Sequence, residues 1–123
     1  MKVAVIGSWN RDFKVDDLAS FLPEDCTALV VEGAQGCPMP GVAAFARHRG
    51  LRLAVCYSDP TDGARRGLLR RNDEIIDAAD LVLVFAADRS AVRNDLIVKC
   101  RLRAKPYVVF NRADGVLAPA DLN

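Results

Sequence analysis

Two glycine-containing segments that follow apolar runs are the first parts of this sequence that could do chemistry. Gly7 and Ser8 follow the run Val3–Ile6, and the segment 32–41 follows the run Ala28–Val31. Glycine lets backbone amides approach an anion closely, and a serine hydroxyl adds a hydrogen-bond donor. Both segments could therefore hold a phosphate group, with a plain tight turn as the alternative at Gly7.

The second segment pairs glycines with a carboxylate. Gly33, Ala34 and Gly36 have a spacing that resembles a phosphate-cradling loop, although the full G-x-G-x-x-G pattern is absent. Glu32 could accept a hydrogen bond from a ribose hydroxyl, and an exposed charge is the alternative. In the first segment, Trp9 could stack on a base, cover apolar surface or lie at a subunit contact.

Arg71 and Asn72 differ from the other polar residues of their arginine-rich segment. Helical spacing places Asn72 in line with Leu68 and Ile76, on the stripe that faces the core, and Arg71 borders that stripe. Arg71 could offer a planar fork of donors to a phosphate, and Asn72 could bind the backbone of a neighbouring loop. A purely structural network to loop carbonyls is the alternative.

Ser90 precedes the last helical pattern, where it or Asp88 would cap the helix and direct its dipole at the same site. No zinc site is predicted, because the four cysteines contain no C-x-x-C pair and there is one histidine. We expect reduced thiols, no metal and no cofactor. The predicted ligand-binding residues are Gly7, Ser8, Trp9, Glu32, Gly33, Ala34, Gly36, Arg71, Asn72 and Ser90.

A repeating strand–helix pattern positions these residues. Five apolar runs alternate with four helical stripes, and four of the runs are continuously apolar, as in parallel strands covered on both faces. We predict an α/β fold with a Rossmann-like, doubly wound sheet of five mainly parallel strands in the order 3-2-1-4-5 and helices on both faces. Ligands of such sheets bind at the carboxyl ends of the strands. The predicted strands are Val3–Ile6, Ala28–Val31, Leu51–Tyr57, Leu81–Phe85 and Tyr107–Phe110.

Composition limits the class of protein. The 123 residues suit one domain, 1–123, with a loosely docked loop expected at 111–123. A net charge of +1 gives no basic field for nucleic acid. The first residues lack the long apolar run of a secretion signal, and no segment is apolar over the length of a membrane span. We therefore expect a cytoplasmic protein that does not bind membranes.

The second helical stripe predicts self-association. Residues 42–46 are apolar around most of the helix, and a helix of that kind is usually buried on more than one side. A homo-oligomer would supply the second side. Alternatively, the aliphatic stems of Arg47 and Arg49 could cover the excess apolar surface.

With these features in view, the chain resembles the SLOG superfamily. This Rossmann-like group includes the LOG (lysine-decarboxylase-like) phosphoribohydrolases, the DprA core and the YspA-like small proteins, and the YspA-like branch is the nearest. The resemblance runs from Met1 to about Phe110 and implies a nucleotide-binding domain that is often homo-oligomeric. Its carriers are Gly7-Ser8 after the opening strand, Gly33-Ala34-Gln35-Gly36, Arg71-Asn72 leading a helix to Ala79-Asp80, and Lys105-Pro106 before the last strand.

The resemblance also implies alternatives for function. Some branches hydrolyse the N-glycosidic bond of nucleoside monophosphates with an arginine at the position of Arg71 and a carboxylate after strand 4. Here that carboxylate position holds Leu96, and the neighbouring Asp95 would be turned by about 100° on a helix. We therefore expect a sensor or carrier module that binds a nucleotide or nucleotide-derived ligand. A phosphoribohydrolase that uses Arg71 with Glu74, Asp88 or Asp95, and an oligomerising structural protein with a decayed pocket, are the alternatives.

Overall fold

A computed structural model of the chain describes residues 1–7, 15–34, 37–38, 41–57, 63–85, 91–113 and 116–119. Within these ranges the fold is α/β, with one mostly parallel sheet and helices. The strands are β1 (Lys2–Gly7), β2 (Ala28–Ala34), β3 (Cys37–Pro38), β4 (Arg52–Tyr57), β5 (Leu81–Phe85), β6 (Tyr107–Ala113) and β7 (Val116–Pro119). The helices are a 3₁₀ helix (Val15–Ser20), α1 (Val42–His48), α2 (Ala64–Ala78) and α3 (Ala91–Leu102).

Five strands form the parallel part of the sheet, in the order β4-β2-β1-β5-β6. This is the order 3-2-1-4-5 predicted from the apolar runs. Among the described strands β4 pairs only with β2, which places β4, with Arg52 at its start, at the edge of the parallel part of the sheet. The chain crosses from β2 to β4 on one side of β1 and from β5 to β6 on the other, so β1 and β5 flank the point where the winding reverses.

Both faces of the sheet are covered by helices. In β1, Val3 and Val5 belong to a core shared with the 3₁₀ helix and α1, whereas Ala4 and Ile6 belong to a core shared with α2 and α3. The continuous apolar runs are explained by this arrangement, because every side chain of a strand between two helical layers is removed from water.

The packing of α1 against the 3₁₀ helix depends on a glycine. Gly41 precedes α1 with a φ of 81°, in the left-handed region, and a Cβ atom there would lie 3.2 Å from a methyl carbon of Val15. Glycine thus allows α1 to start close to the 3₁₀ helix. The first of the four helical stripes in the sequence consists of Val15, Leu18, Ala19 and Leu22. The structure has a 3₁₀ helix, Val15–Ser20, in this region, which is tighter than an α-helix.

The predicted number of five strands was wrong, because β3 and β7 add two short antiparallel strands to the sheet. The predicted loop from residue 111 was also wrong: β6 continues to Ala113, and β7 pairs back onto it. β3 has two residues, too few to show a periodicity. The Asp114-Gly115 pair between β6 and β7 in the sequence is typical of hairpin turns and was the available signal.

None of the helices in the described ranges combines the length and the apolar character that a membrane span requires.

Candidate ligand-binding site

The carboxyl ends of β1 and β2 bring two of the predicted glycines to one end of the sheet. The two strands are parallel neighbours, with Val5 paired to Val31. Gly7 and Gly33 each lie two residues beyond that pair, so both are at the same end. Gly7 also pairs with Phe85 at the end of β5. The backbone of three adjacent strands therefore ends around Gly7.

β3 extends this end of the sheet. Gly33 is in register with Tyr57 of β4 and with Pro38 of β3, and Ala34 pairs with Cys37. At Gly33, β4 lies on one side of β2 and β3 lies on the other. Nearer the start of β2, that other side is occupied by β1. Within the segment 32–41, which the sequence indicated as a phosphate loop, residues 32–34 therefore belong to β2, and Cys37 and Pro38 pair back onto β2.

An ion pair between β2 and α2 lies directly behind these strand ends. Arg71 Nη2 donates to Glu32 Oε2 at 2.6 Å, and the two side chains are only 9% and 14% exposed. Alternation along β2 places Glu32 on the same face as Val30, which is the face covered by α2. A carboxylate and a guanidinium that the sequence singled out separately thus form one unit.

Asn72 follows Arg71 on α2 and is also buried, and we refer to the three residues as the Glu32–Arg71–Asn72 cluster. The exposure of Asn72 is 3%, and its buried Oδ1 atom has no hydrogen-bond partner among the described residues. Arg71 Nε is likewise buried and has no partner in this part of the chain. Most buried polar atoms in folded proteins are hydrogen-bonded, so two such atoms on neighbouring residues need an explanation.

Helical geometry explains why these two residues are buried. Arg71, Asn72, Ile75 and Ile76 are all buried, and α2 packs on β1, β2 and β4. The prediction that Arg71 and Asn72 lie on the buried stripe is confirmed. The preceding residue, Arg70, is exposed, because a step of one residue along the helix turns the side chain by about 100°.

A thiol and a second carboxylate lie near the cluster. Cys56 of β4 is the register partner of Glu32 and is half-buried. Burial raises the pKa of the Cys56 thiol, the Glu74 carboxylate raises it further, and the Arg71 guanidinium lowers it. The thiol is therefore protonated at neutral pH and behaves as a weakly polar neighbour of the ion pair.

Four of the predicted ligand-binding residues, Ser8, Trp9, Gly36 and Ser90, lie outside the described residues. For Gly7 and Ala34 the structure describes the backbone within β1 and β2. The described part of the site therefore consists of the ends of β1, β2 and β5, together with the Glu32–Arg71–Asn72 cluster.

The acids considered for hydrolysis do not join this cluster in the described residues. Leu96, at the position where the resemblance implies a carboxylate, is fully buried in the core between α2, α3 and the sheet. Asp95 Oδ2 lies 3.1 Å from Lys99 Nζ on the same helix. Glu74 is exposed, and Asp88 lies outside the described residues. Among the described residues, no group of three or more His, Cys, Asp or Glu could hold a metal ion.

A cavity of about 440 Å³ lies between the 3₁₀ helix and α1, on the face of the sheet that α2 does not cover. The guanidinium of Arg49 lies 5.1 Å from the centre of the Phe45 ring there. This cation–π contact is the covering by arginine that the sequence offered as the alternative to self-association. Ala43 is exposed, and self-association stays a prediction.

Sequence reasoning missed the pairing of Glu32 with Arg71, because the two residues are 39 positions apart and only the packing of α2 on β2 brings them together. The available signal was a single carboxylate that continues an apolar strand. It also missed Cys56 as a neighbour of the site, which depends on the register of β4 with β2.

No protein-family model, curated protein or solved structure matches this chain.

Proposed function

We propose that this domain is a Rossmann-like, doubly wound module that binds a nucleotide or nucleotide-derived ligand at the carboxyl ends of its strands, as a sensor or carrier. The observation that carries the proposal is the buried, incompletely hydrogen-bonded Glu32–Arg71–Asn72 cluster directly behind the ends of β1 and β2.

The energetics of the cluster favour a ligand. Leaving a buried polar atom without a partner costs about 1–3 kcal/mol. Four buried side-chain atoms lack a hydrogen-bond partner among the described residues, and two of them, on Arg71 and Asn72, belong to this cluster. A fold that only needed a packed helix could place apolar side chains at these positions at lower free energy. Polar groups kept at such a disadvantage are typical of sites where a bound molecule completes the hydrogen bonds.

The position of the cluster favours the same reading. In open parallel sheets, ligands bind beyond the carboxyl ends of the strands near the point where the winding reverses. Here β1 and β5 flank that point, and Gly7 lies at the end of β1 beside Phe85 of β5. Glycines at Gly7 and Gly33 allow a phosphate to approach backbone amides.

A thermal-shift screen tests the proposal. The 5′-monophosphates of adenosine, guanosine, cytidine and uridine would be added separately to the wild-type protein, to Asn72→Leu and to Arg70→Ala. A ligand at 100 times its Kd adds about 2.7 kcal/mol to the free energy of unfolding, which raises Tm by several degrees in a domain of this size.

We expect at least one monophosphate to raise the Tm of the wild type and of Arg70→Ala, whose substituted side chain is exposed. The same compound should leave the Tm of Asn72→Leu unchanged. A wild-type protein that responds to none of them, or an Asn72→Leu variant that responds fully, would overturn the proposal.

A further inference from the structure

The charge of Arg71 is already balanced inside the protein. Its Nη2 atom lies 2.6 Å from Glu32 Oε2, with side chains that are 9% and 14% exposed. At this distance and burial the two charges interact strongly, since little water screens them. The Glu32–Arg71–Asn72 cluster therefore presents close to zero net charge to a ligand.

A phosphate is a poor match for such a cluster. To bind a phosphate with its full fork of donors, Arg71 would have to release Glu32 and leave that carboxylate largely buried beside a new dianion. Removing the partner from a buried ion pair is strongly destabilising, and two like charges in contact add repulsion. The sequence-based view of Arg71 as the phosphate ligand therefore conflicts with its surroundings.

The unpartnered atoms describe a different ligand group. Arg71 Nε can donate one hydrogen bond, and Asn72 Oδ1 can accept one. One donor and one acceptor on consecutive residues of α2 match an uncharged group that offers both, such as a sugar hydroxyl or the edge of a base. Both side chains are more than nine-tenths buried, so water would compete weakly with such a group.

We infer that the Glu32–Arg71–Asn72 cluster recognises the uncharged nucleoside part of the ligand, and that the phosphate is bound elsewhere, by backbone at the strand ends. Arg71 then has two roles: it holds the Glu32 carboxylate in place through Nη2 and donates to the ligand through Nε. This inference rests on the proposed function and assigns the parts of the ligand within that same site.

Isothermal titration of nucleosides against their own 5′-monophosphates separates the two parts. The Kd of the nucleoside divided by the Kd of its monophosphate reports what the phosphate contributes to affinity. This ratio can be compared between the wild type and the variants. The test variants are Arg71→Gln and the double variant Glu32→Gln/Arg71→Gln, which removes both charges of the pair. The matched control is Arg70→Gln, one residue away and exposed.

We expect both variants to weaken nucleoside and monophosphate alike, by at least about tenfold, the factor for one lost hydrogen bond to a charged group. The ratio of the two Kd values should stay within about twofold of the wild-type ratio, since a difference that small is well under one hydrogen bond. Arg70→Gln should change neither affinity.

Two results would overturn the inference while leaving the proposed function intact. In the first, the variants weaken the monophosphate alone and the ratio falls towards one, which makes Arg71 a phosphate ligand. In the second, the wild type binds and the variants bind equally well. A wild type that binds neither nucleosides nor monophosphates would instead contradict the proposed function itself.

Discussion

The ion pair between Glu32 and Arg71 is the residue-scale feature on which the account depends. Buried ion pairs are rarely a gain in stability over apolar residues of the same size, because both ions lose their hydration. A gain in stability therefore does not by itself explain a pair that is 9% and 14% exposed and whose arginine carries a further unpartnered atom among the described residues.

Breaking this pair should be far more costly than replacing it. Glu32→Ala leaves the Arg71 charge buried without its partner, and we expect the free energy of unfolding to fall by about 3–5 kcal/mol. The double variant Glu32→Leu/Arg71→Met should recover most of that loss, since it removes both charges. Urea denaturation of the three proteins measures both values. Equal losses in the single and double variants would show that the pair itself is not the origin of the effect.

Substitution of Asn72 tests the contribution of its amide to stability apart from its contribution to binding. Leucine has a similar volume and needs no hydrogen bond, so Asn72→Leu should leave the free energy of unfolding unchanged or raise it by up to about 2 kcal/mol. Urea denaturation again provides the measurement. A loss of more than about 1 kcal/mol would instead support a structural network in which the amide is satisfied in the folded protein.

Three thiols give the stability a dependence on alkaline pH. Burial raises the pKa values of Cys26, Cys56 and Cys100 above the ordinary thiol value. When the pH passes the ordinary value, the unfolded chain loses thiol protons that the folded protein keeps. The unfolded state is then stabilised relative to the folded one.

The free energy of unfolding should therefore decrease as the pH rises from about 8 to 10, around and above the ordinary thiol pKa. Urea denaturation at several pH values measures this slope, and Cys100→Ala should make it shallower. A slope that is flat over this range, or identical in the variant, would contradict the prediction.

At the scale of residues, the sequence predicted burial better than pairing. The positions of Arg71 and Asn72 on the buried stripe follow from helical spacing alone, and the structure confirms them. The partner of Arg71 could not be predicted in this way, because a contact across 39 positions is set by the packing of α2 on β2.

At the scale of elements, hydrophobic runs predicted the parallel strands and their order. Such strands are buried on both faces, so their sequences are continuously apolar and easy to recognise. The antiparallel strands β3 and β7 escaped detection for the opposite reason. β3 has two residues, and β7 pairs with the polar end of β6 around Asn111 and Arg112.

α2 and α3 are joined by surface charges as well as by their shared core. Asp73 Oδ1 lies 3.2 Å from Lys99 Nζ and 3.0 Å from Arg103 Nη2. Arg103 also donates to Asp77, and this hydrogen bond raises the pKa of Arg103. The network could hold the outer side of α2 and thereby support Arg71 on its inner side.

The network should nevertheless contribute little to stability. Asp73 is 39% exposed, so water and salt screen its interactions, and Asp73→Asn should lower the free energy of unfolding by less than about 1 kcal/mol. The difference should shrink further at high salt, where such pairs are screened. Denaturation at low and high ionic strength tests both statements. A loss above about 2 kcal/mol that persists in salt would mean that the network is structurally essential.

At the scale of the whole molecule, the fold concentrates its chemistry at one end of one sheet. The face of the sheet that packs against the 3₁₀ helix and α1 has its own core and a cavity beside Phe45. The described polar atoms that lack partners do not lie on that face. We therefore predict that ligands bind at the carboxyl ends of the strands only.

Nuclear magnetic resonance titration of the ¹⁵N-labelled protein with the four nucleoside 5′-monophosphates is the most direct test, and a chain of 13.4 kDa is well suited to it. We expect saturable shifts of the Gly7 and Gly33 amides and of the Arg71 Nε–Hε resonance, with Ala44 and Phe45 of α1 unchanged. No saturable shift with any of the four compounds, or shifts confined to α1 and the 3₁₀ helix, would contradict the account.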